Sequence, residues 1–95
     1  MIVNRRTFIV KRGYMDDIVA LIQAEMKRTN SVPRLYVAET GEFDTIAMEW
    51  ELENMAEYEK QWAEYFASPD TDTFMEKWYE LTETGGTNEI WNLVK

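Results

Sequence analysis

From Ile2 to Val10 the chain is rich in β-branched residues and alternates with a period of two, which predicts a strand. Ile2, Asn4, Arg6, Phe8 and Val10 share one of its faces, and Val3, Arg5, Thr7 and Ile9 the other. Neither face is purely polar, so both are expected to be at least partly covered. Gly13 breaks the strand, and the period becomes helical. Met15, Ile18, Val19, Ile22 and Met26 form one apolar stripe along Tyr14–Arg28. Asp16 and Asp17 suit the positive end of that helix, and Lys27 and Arg28 its negative end.

After a loop at Asn30 and Ser31, Pro33 permits a strand start, and Arg34–Thr40 reads as a second strand. A turn at Gly41-Glu42 leads to a third strand, Asp44–Leu52, in which Ile46, Met48, Trp50 and Leu52 oppose Thr45, Ala47, Glu49 and Glu51. So short a link predicts a hairpin. Asn54 is placed to cap a second helix, with Glu57 three residues on as in a capping box. Met55, Tyr58, Trp62, Tyr65 and Phe66 form its apolar stripe. Ser68-Pro69-Asp70 interrupts it, because proline disfavours helical geometry in the residue before it. Asp70 or Asp72 is then expected to cap a further helix carrying Phe74, Met75, Trp78 and Leu81, which Gly85-Gly86 ends. A fourth strand is expected over Thr87–Val94.

The order β-α-β-β-α-(α)-β is the ferredoxin-like α+β arrangement, a four-stranded antiparallel sheet with helices on one face. The opposite face is then bare, with Val3, Ile9, Tyr36, Trp91 and Leu93 as contributors. A bare apolar sheet face marks an interface, and a second copy packed face to face makes a homodimer.

The chain has 95 residues, enough for one domain with a modest core. Its net charge of −8 is uneven: residues 1–41 carry +3, residues 42–84 carry −11, and the remainder is neutral. So acidic a chain repels phosphate backbones and anionic membrane surfaces, which argues against nucleic acid and membranes as partners. No apolar run approaches the roughly 18 residues that span a bilayer. The charged N-terminal stretch MIVNRRTFIVKRG is a poor signal peptide, so a cytoplasmic location is expected. With no histidine and no cysteine, the familiar catalytic triads and zinc sites are out of reach. No glycine-rich phosphate loop and no calcium loop is present, and no cofactor or metal is expected.

RRTFIVKRG at Arg5–Gly13 resembles the strand-to-helix entry of NIPSNAP-like proteins, in which an Arg-Thr-aromatic strand runs through a basic residue to glycine. MEWELENMAEYEKQW, followed by SPDTDTFMEKW, resembles that family's second half: a tryptophan-ended strand, a helix, a proline/aspartate break and a short aromatic-ended segment. The resemblance implies a dimeric α+β barrel, a group that includes cofactor-independent oxygenases, haem-degrading enzymes and small-molecule isomerases. The chain lacks the histidine on which haem-degrading members rely. Of the histidine, asparagine and tryptophan used by quinol oxygenases, Asn4, Asn88, Asn92 and Trp50 supply only part. Where relatives carry a tyrosine and an arginine near the start of the second helical half, this chain has Glu51 and the acidic stretch Glu57–Glu59. The resemblance therefore carries no anion-binding role to that point.

The candidate ligand pocket is drawn from Asn4, Arg6 and Phe8 on the first strand, Met48 and Trp50 on the third, Trp62 and Phe66 on the second helix, and Asn92 on the fourth strand. A buried guanidinium must be paired. Arg6 either anchors a ligand carboxylate or enolate, or pairs with Glu49, Glu51 or Glu89. Asn4, Asn88 and Asn92 either orient a substrate oxygen or close off backbone groups. The four tryptophans either line a flat apolar pocket or fill core and dimer interface. Glu49 and Glu51 form either a carboxylate pair or an exposed, salt-bridged face. The leading expectation is a small-molecule-binding protein for an apolar or aromatic ligand. The alternatives are a cofactor-independent oxygenase or isomerase acting on an apolar or aromatic carbonyl compound, and an interaction module with no ligand.

Overall fold

The computed structural model describes residues 1–95, in the order β1 (Ile2–Val10), α1 (Met15–Thr29), β2 (Arg34–Val37), β3 (Thr45–Leu52), α2 (Met55–Ala67), α3 (Pro69–Leu81) and β4 (Thr82–Asn92). The strands form one antiparallel sheet in the order β2-β3-β1-β4. This is the ferredoxin-like plan. β1 is central, and its register pairs Arg6 with Met48 on one side and Asn88 on the other.

Even-numbered positions of β1 and β3 face the helices. The core joins Val10, Ile46 and Met48 of the sheet to Ile18 and Ile22 of α1 and Trp78 of α3, with Phe8 and Trp50 packed against it. The odd positions form the uncovered face. There the register sets Arg5 between Glu49 and Glu89. The centre of this face is a charged ladder rather than the bare apolar surface expected. Arg5 and Arg34 both reach Glu49, at 3.4 and 3.3 Å, and Arg34 also reaches Glu51 at 3.1 Å. Hydrogen bonds to Glu51 first, and to Glu49, hold the Arg34 pKa above its ordinary value. Its apolar members include Trp91 and Leu93, which are 59% and 43% exposed.

The capping signals act locally. The Asn54 side chain accepts from the Glu57 amide at 2.9 Å, while the Glu57 carboxylate reaches back to the Glu53 amide at 3.2 Å. Two helix boundaries differ from expectation. α3 begins directly at Pro69, with Ser68 at its cap position, so Asp70 and Asp72 lie inside the first turn instead of capping it. Proline suits that first position because its missing N–H would have no helical partner there. The helix ends at Leu81, and Gly85-Gly86 does not terminate it. Both glycines lie within β4, which starts five residues earlier than expected. They form a bulge: Thr7 pairs with Thr87 but Ile9 with Glu83, so the register shifts between Thr7 and Ile9.

Candidate functional site: a half-open aromatic cavity under α2

No residue of α2 is fully buried, although its apolar stripe is directed toward the sheet. The reason lies between them. A half-open cavity of about 650 Å³ separates α2 from the sheet and is bordered also by α1, α3 and the loop from Thr29 to Pro33. Its volume is within the range of small-molecule sites. Arg6, Phe8, Met48, Trp50, Trp62 and Phe66 all line it. Trp50, Trp62 and Phe66 therefore wall the space instead of filling it. Trp62 is the hub of the wall: it meets Trp50 edge-on at 5.7 Å and stacks on Phe66 at 5.7 Å. The Trp50 indole N–H donates to the Ser31 hydroxyl at 3.2 Å, which ties the wall to the loop.

Two expected members stand elsewhere. Asn92 is exposed near the end of β4, paired with Ile2, and does not border the cavity. Asn4 is wholly buried beneath it. Its amide donates to the Asn88 side chain at 2.8 Å and to the Glu89 carbonyl at 2.9 Å, while its oxygen accepts from Arg6 Nε at 3.2 Å. Asn4 and Asn88 thus meet as expected, and Asn92 does not join them. Asn4 supports the guanidinium from below.

Arg6 extends from β1 with its guanidinium carbon 4.0 Å from the Trp62 ring centroid. A cation over an indole face is attracted by the ring quadrupole. Arg6 Nη2 donates to the Tyr58 hydroxyl at 3.0 Å. Pairing with Glu49, Glu51 or Glu89 is corrected by the sheet register: Glu49 and Glu89 stand opposite Arg5, and the alternation of β3 puts Glu51 on that same uncovered face. Tyr58 lies within the acidic stretch Glu57–Glu59, to which the resemblance carries no anion-binding role, and it contacts the cation of this cavity.

A second polar group was not foreseen. Glu25 and Arg28 of α1 form a two-point ion pair at 2.6 and 2.9 Å, and the Tyr65 hydroxyl of α2 donates to Glu25 at 2.5 Å. Arg28 also reaches the hydroxyls of Ser68 and Thr71, so it fastens α1 to the junction of α2 and α3. Burial pushes the Tyr65 hydroxyl well above its ordinary pKa, and the bond to the Glu25 carboxylate adds to the rise. Burial also works to raise Glu25, but hydrogen bonds from Arg28 and Tyr65 outweigh it and hold the carboxyl below its ordinary value. The bond to Glu25 raises Arg28 in turn. The cluster is internally satisfied. Its one sequence signal was the Glu25–Arg28 spacing of three on a helix. No group of three or more carboxylates is placed to hold a metal ion, and no helix is long and apolar enough to cross a membrane.

Solved structures with this architecture decide the fold. Protein Atu4242 from Agrobacterium tumefaciens superposes with a TM-score of 0.89 at 19% identity, over 100% of this chain and 95% of that one. A second crystal structure of Atu4242 describes it as a NIPSNAP family protein with unknown function. The fold is that of the NIPSNAP proteins. An uncharacterized NIPSNAP domain protein from Burkholderia xenovorans matches with a TM-score of 0.86 at 16% identity, over 99% of this chain and 95% of that one. An antibiotic biosynthesis monooxygenase shares the NIPSNAP layout more distantly, with a TM-score of 0.74 at 13% identity and full coverage of both chains. No protein-family model matches the sequence, and no characterised relative does. None of these likenesses identifies an activity.

Proposed function

We propose that this protein binds a small, largely apolar or aromatic molecule in the cavity under α2. The observation that carries the reading is the cavity itself, about 650 Å³ of space walled by Phe8, Trp50, Trp62, Phe66, Phe74 and Trp78. Aromatic side chains present large apolar surface with few rotatable bonds, so a flat ligand gains contact area at little entropic cost. A thermal-shift screen of aromatic and fatty compounds tests it. At a hundredfold excess over Kd, a ligand adds about 2.7 kcal/mol, which for a chain of this size is a rise in Tm of about 11–22 °C. The same ligand quenches tryptophan fluorescence, because Trp50, Trp62 and Trp78 line the site. A flat response across a broad library overturns the reading.

We further infer that the working form is a homodimer joined through the uncovered sheet face. Tyr36, Trp91 and Leu93 are each more than two-fifths exposed on that face, and the chain has only 12 buried residues of 95. So small a core gains from a second copy. The ladder of Arg5, Arg34, Glu49 and Glu51 is already paired within one chain, so it enters such an interface with its charges compensated. Light scattering at micromolar concentration is expected to give about 23 kDa, twice 11.3 kDa. A monomeric mass overturns the dimer and leaves the cavity reading standing.

A further inference from the structure

The chain has five arginines, and four of them, Arg5, Arg12, Arg28 and Arg34, have a carboxylate within 4.0 Å. Arg6 alone has none. The cause is not a shortage of acid, since the chain holds 18 Asp and Glu against 10 Lys and Arg. Nor is Arg6 an exposed arginine paired with water: it is half-buried and borders the aromatic cavity. A guanidinium taken partly out of water without a counter-charge is costly, and the indole face of Trp62 and two neutral oxygens offset only part of that cost.

The way Arg6 is held gives the cost a purpose. Nε is occupied by Asn4 Oδ1, Nη2 makes one bond to Tyr58, and the plane is held against Trp62. Nη1 has no acceptor in the protein, and one hydrogen of Nη2 remains. Those two nitrogens form the edge of a guanidinium that receives a carboxylate through two parallel bonds. Asn4 is itself fixed by Asn88 and the Glu89 carbonyl, so the fork is oriented before any ligand arrives.

We propose that Arg6 anchors the carboxylate of a ligand whose remaining body is aromatic or otherwise apolar. The inference rests on the cavity being a ligand site. A single carboxylate fits better than a phosphate, because the Glu64 carboxylate borders the same cavity and repels a second negative charge.

The test uses three probes that share one ring system: naphthoate, naphthylmethanol and naphthyl phosphate, titrated against the full chain by tryptophan quenching and calorimetry. Wild type is expected to bind naphthoate about tenfold or more tightly than the neutral alcohol, and more tightly than the phosphate. Arg6→Met is expected to abolish the preference for the acid, read as the ratio of acid to alcohol affinity within that variant. Arg6→Lys, which keeps the charge but loses the fork, falls between. If wild type binds acid and alcohol alike, or if Arg6→Met retains the preference, Arg6 is not the anchor although the cavity still binds. Tighter binding of the phosphate overturns the carboxylate class. If no probe binds at its solubility limit, the inference falls, and the cavity reading is decided by the broad thermal-shift screen. Should Arg6→Met fail to fold, the comparison of acid with alcohol on wild type decides alone.

Discussion

Gly86→Ala is expected to destabilise the fold severely. Gly86 has φ +96, a left-handed value that favours glycine. Strain is the smaller part of the effect. A Cβ there would overlap the carbonyl oxygen of Thr7 and lie 2.9 Å from its carbonyl carbon. Those are backbone atoms of the central strand, paired on their other side with Ala47 of β3, so they have nowhere to go. The clash therefore separates β4 from β1 or shifts its register. The expected loss is about 3 kcal/mol or more, a large part of the roughly 5–10 kcal/mol available to a domain of this size. Gly41→Ala is the control. Gly41 also has a left-handed φ, +111, but a Cβ there meets nothing within 4 Å. Its cost is the conformational strain alone, about 1–2 kcal/mol. Urea unfolding of both variants separates clash from strain. If the two lie within about 1 kcal/mol of each other, the close approach of Gly86 to Thr7 does not matter.

The bulge reaches the site through register. It lets β4 resume pairing at Thr87, where the Thr7 and Thr87 hydroxyls lie 2.7 Å apart and the Thr87 amide donates to the Thr7 hydroxyl at 3.0 Å. One residue further on, Asn88 is opposite Arg6 and its side chain meets Asn4. Two glycines therefore determine which side chain of β4 holds Asn4 beneath the guanidinium.

The alternation of β1 and β3 was enough to read both strands and the plan of the sheet, because a period of two with one apolar set is hard to mistake. β4 was only half legible. Paired glycines ordinarily punctuate a chain, and nothing local distinguishes a terminating pair from one that bulges inside a strand. The status of Arg6 depended on parity. Candidate glutamates were present on neighbouring strands, but whether Glu49 opposes Arg5 or Arg6 is a question of register. A shift of one residue exchanges the faces. The apolar set Ile46, Met48, Trp50 and Leu52 held a clue. If those residues face the helices together with Phe8 and Val10, the acids of β3 must face away and Arg6 is left without them. The cluster of Glu25, Arg28 and Tyr65 joins positions 40 residues apart on two helices. No local pattern records such a contact, and Tyr65 reads simply as one member of an apolar stripe.

Replacing Asn4 by leucine is expected to cost about 2–4 kcal/mol and to loosen Arg6. Leucine keeps the same branched skeleton of four side-chain heavy atoms, so the loss is chiefly polar, with some overpacking where methyl groups replace the smaller amide atoms. Asn4 is wholly buried and makes three hydrogen bonds: to Asn88, to the Glu89 carbonyl and from Arg6. Removing it leaves two acceptors and one charged donor facing an apolar side chain. Each buried group so orphaned costs about 1–3 kcal/mol, with partial relief where water enters from the cavity side. Asn4→Asp separates the structural role from the electrostatic one. The carboxylate still accepts from Arg6 Nε and now supplies the counter-charge that the wild-type site lacks. It cannot donate to Asn88 or Glu89, so it also destabilises. Binding is where the two variants differ. In Asn4→Leu the unpaired guanidinium keeps its charge but loses its orientation, so a preference for naphthoate over naphthylmethanol persists in weakened form. In Asn4→Asp the charge of Arg6 is already satisfied, and the preference is expected to vanish even where the protein is folded and the alcohol binds normally. Urea unfolding measures the first effect, and the ratio of acid to alcohol affinity measures the second. An Asn4→Asp protein that still favours the acid as strongly as wild type would show that an uncompensated charge on Arg6 is not what the cavity offers its ligand.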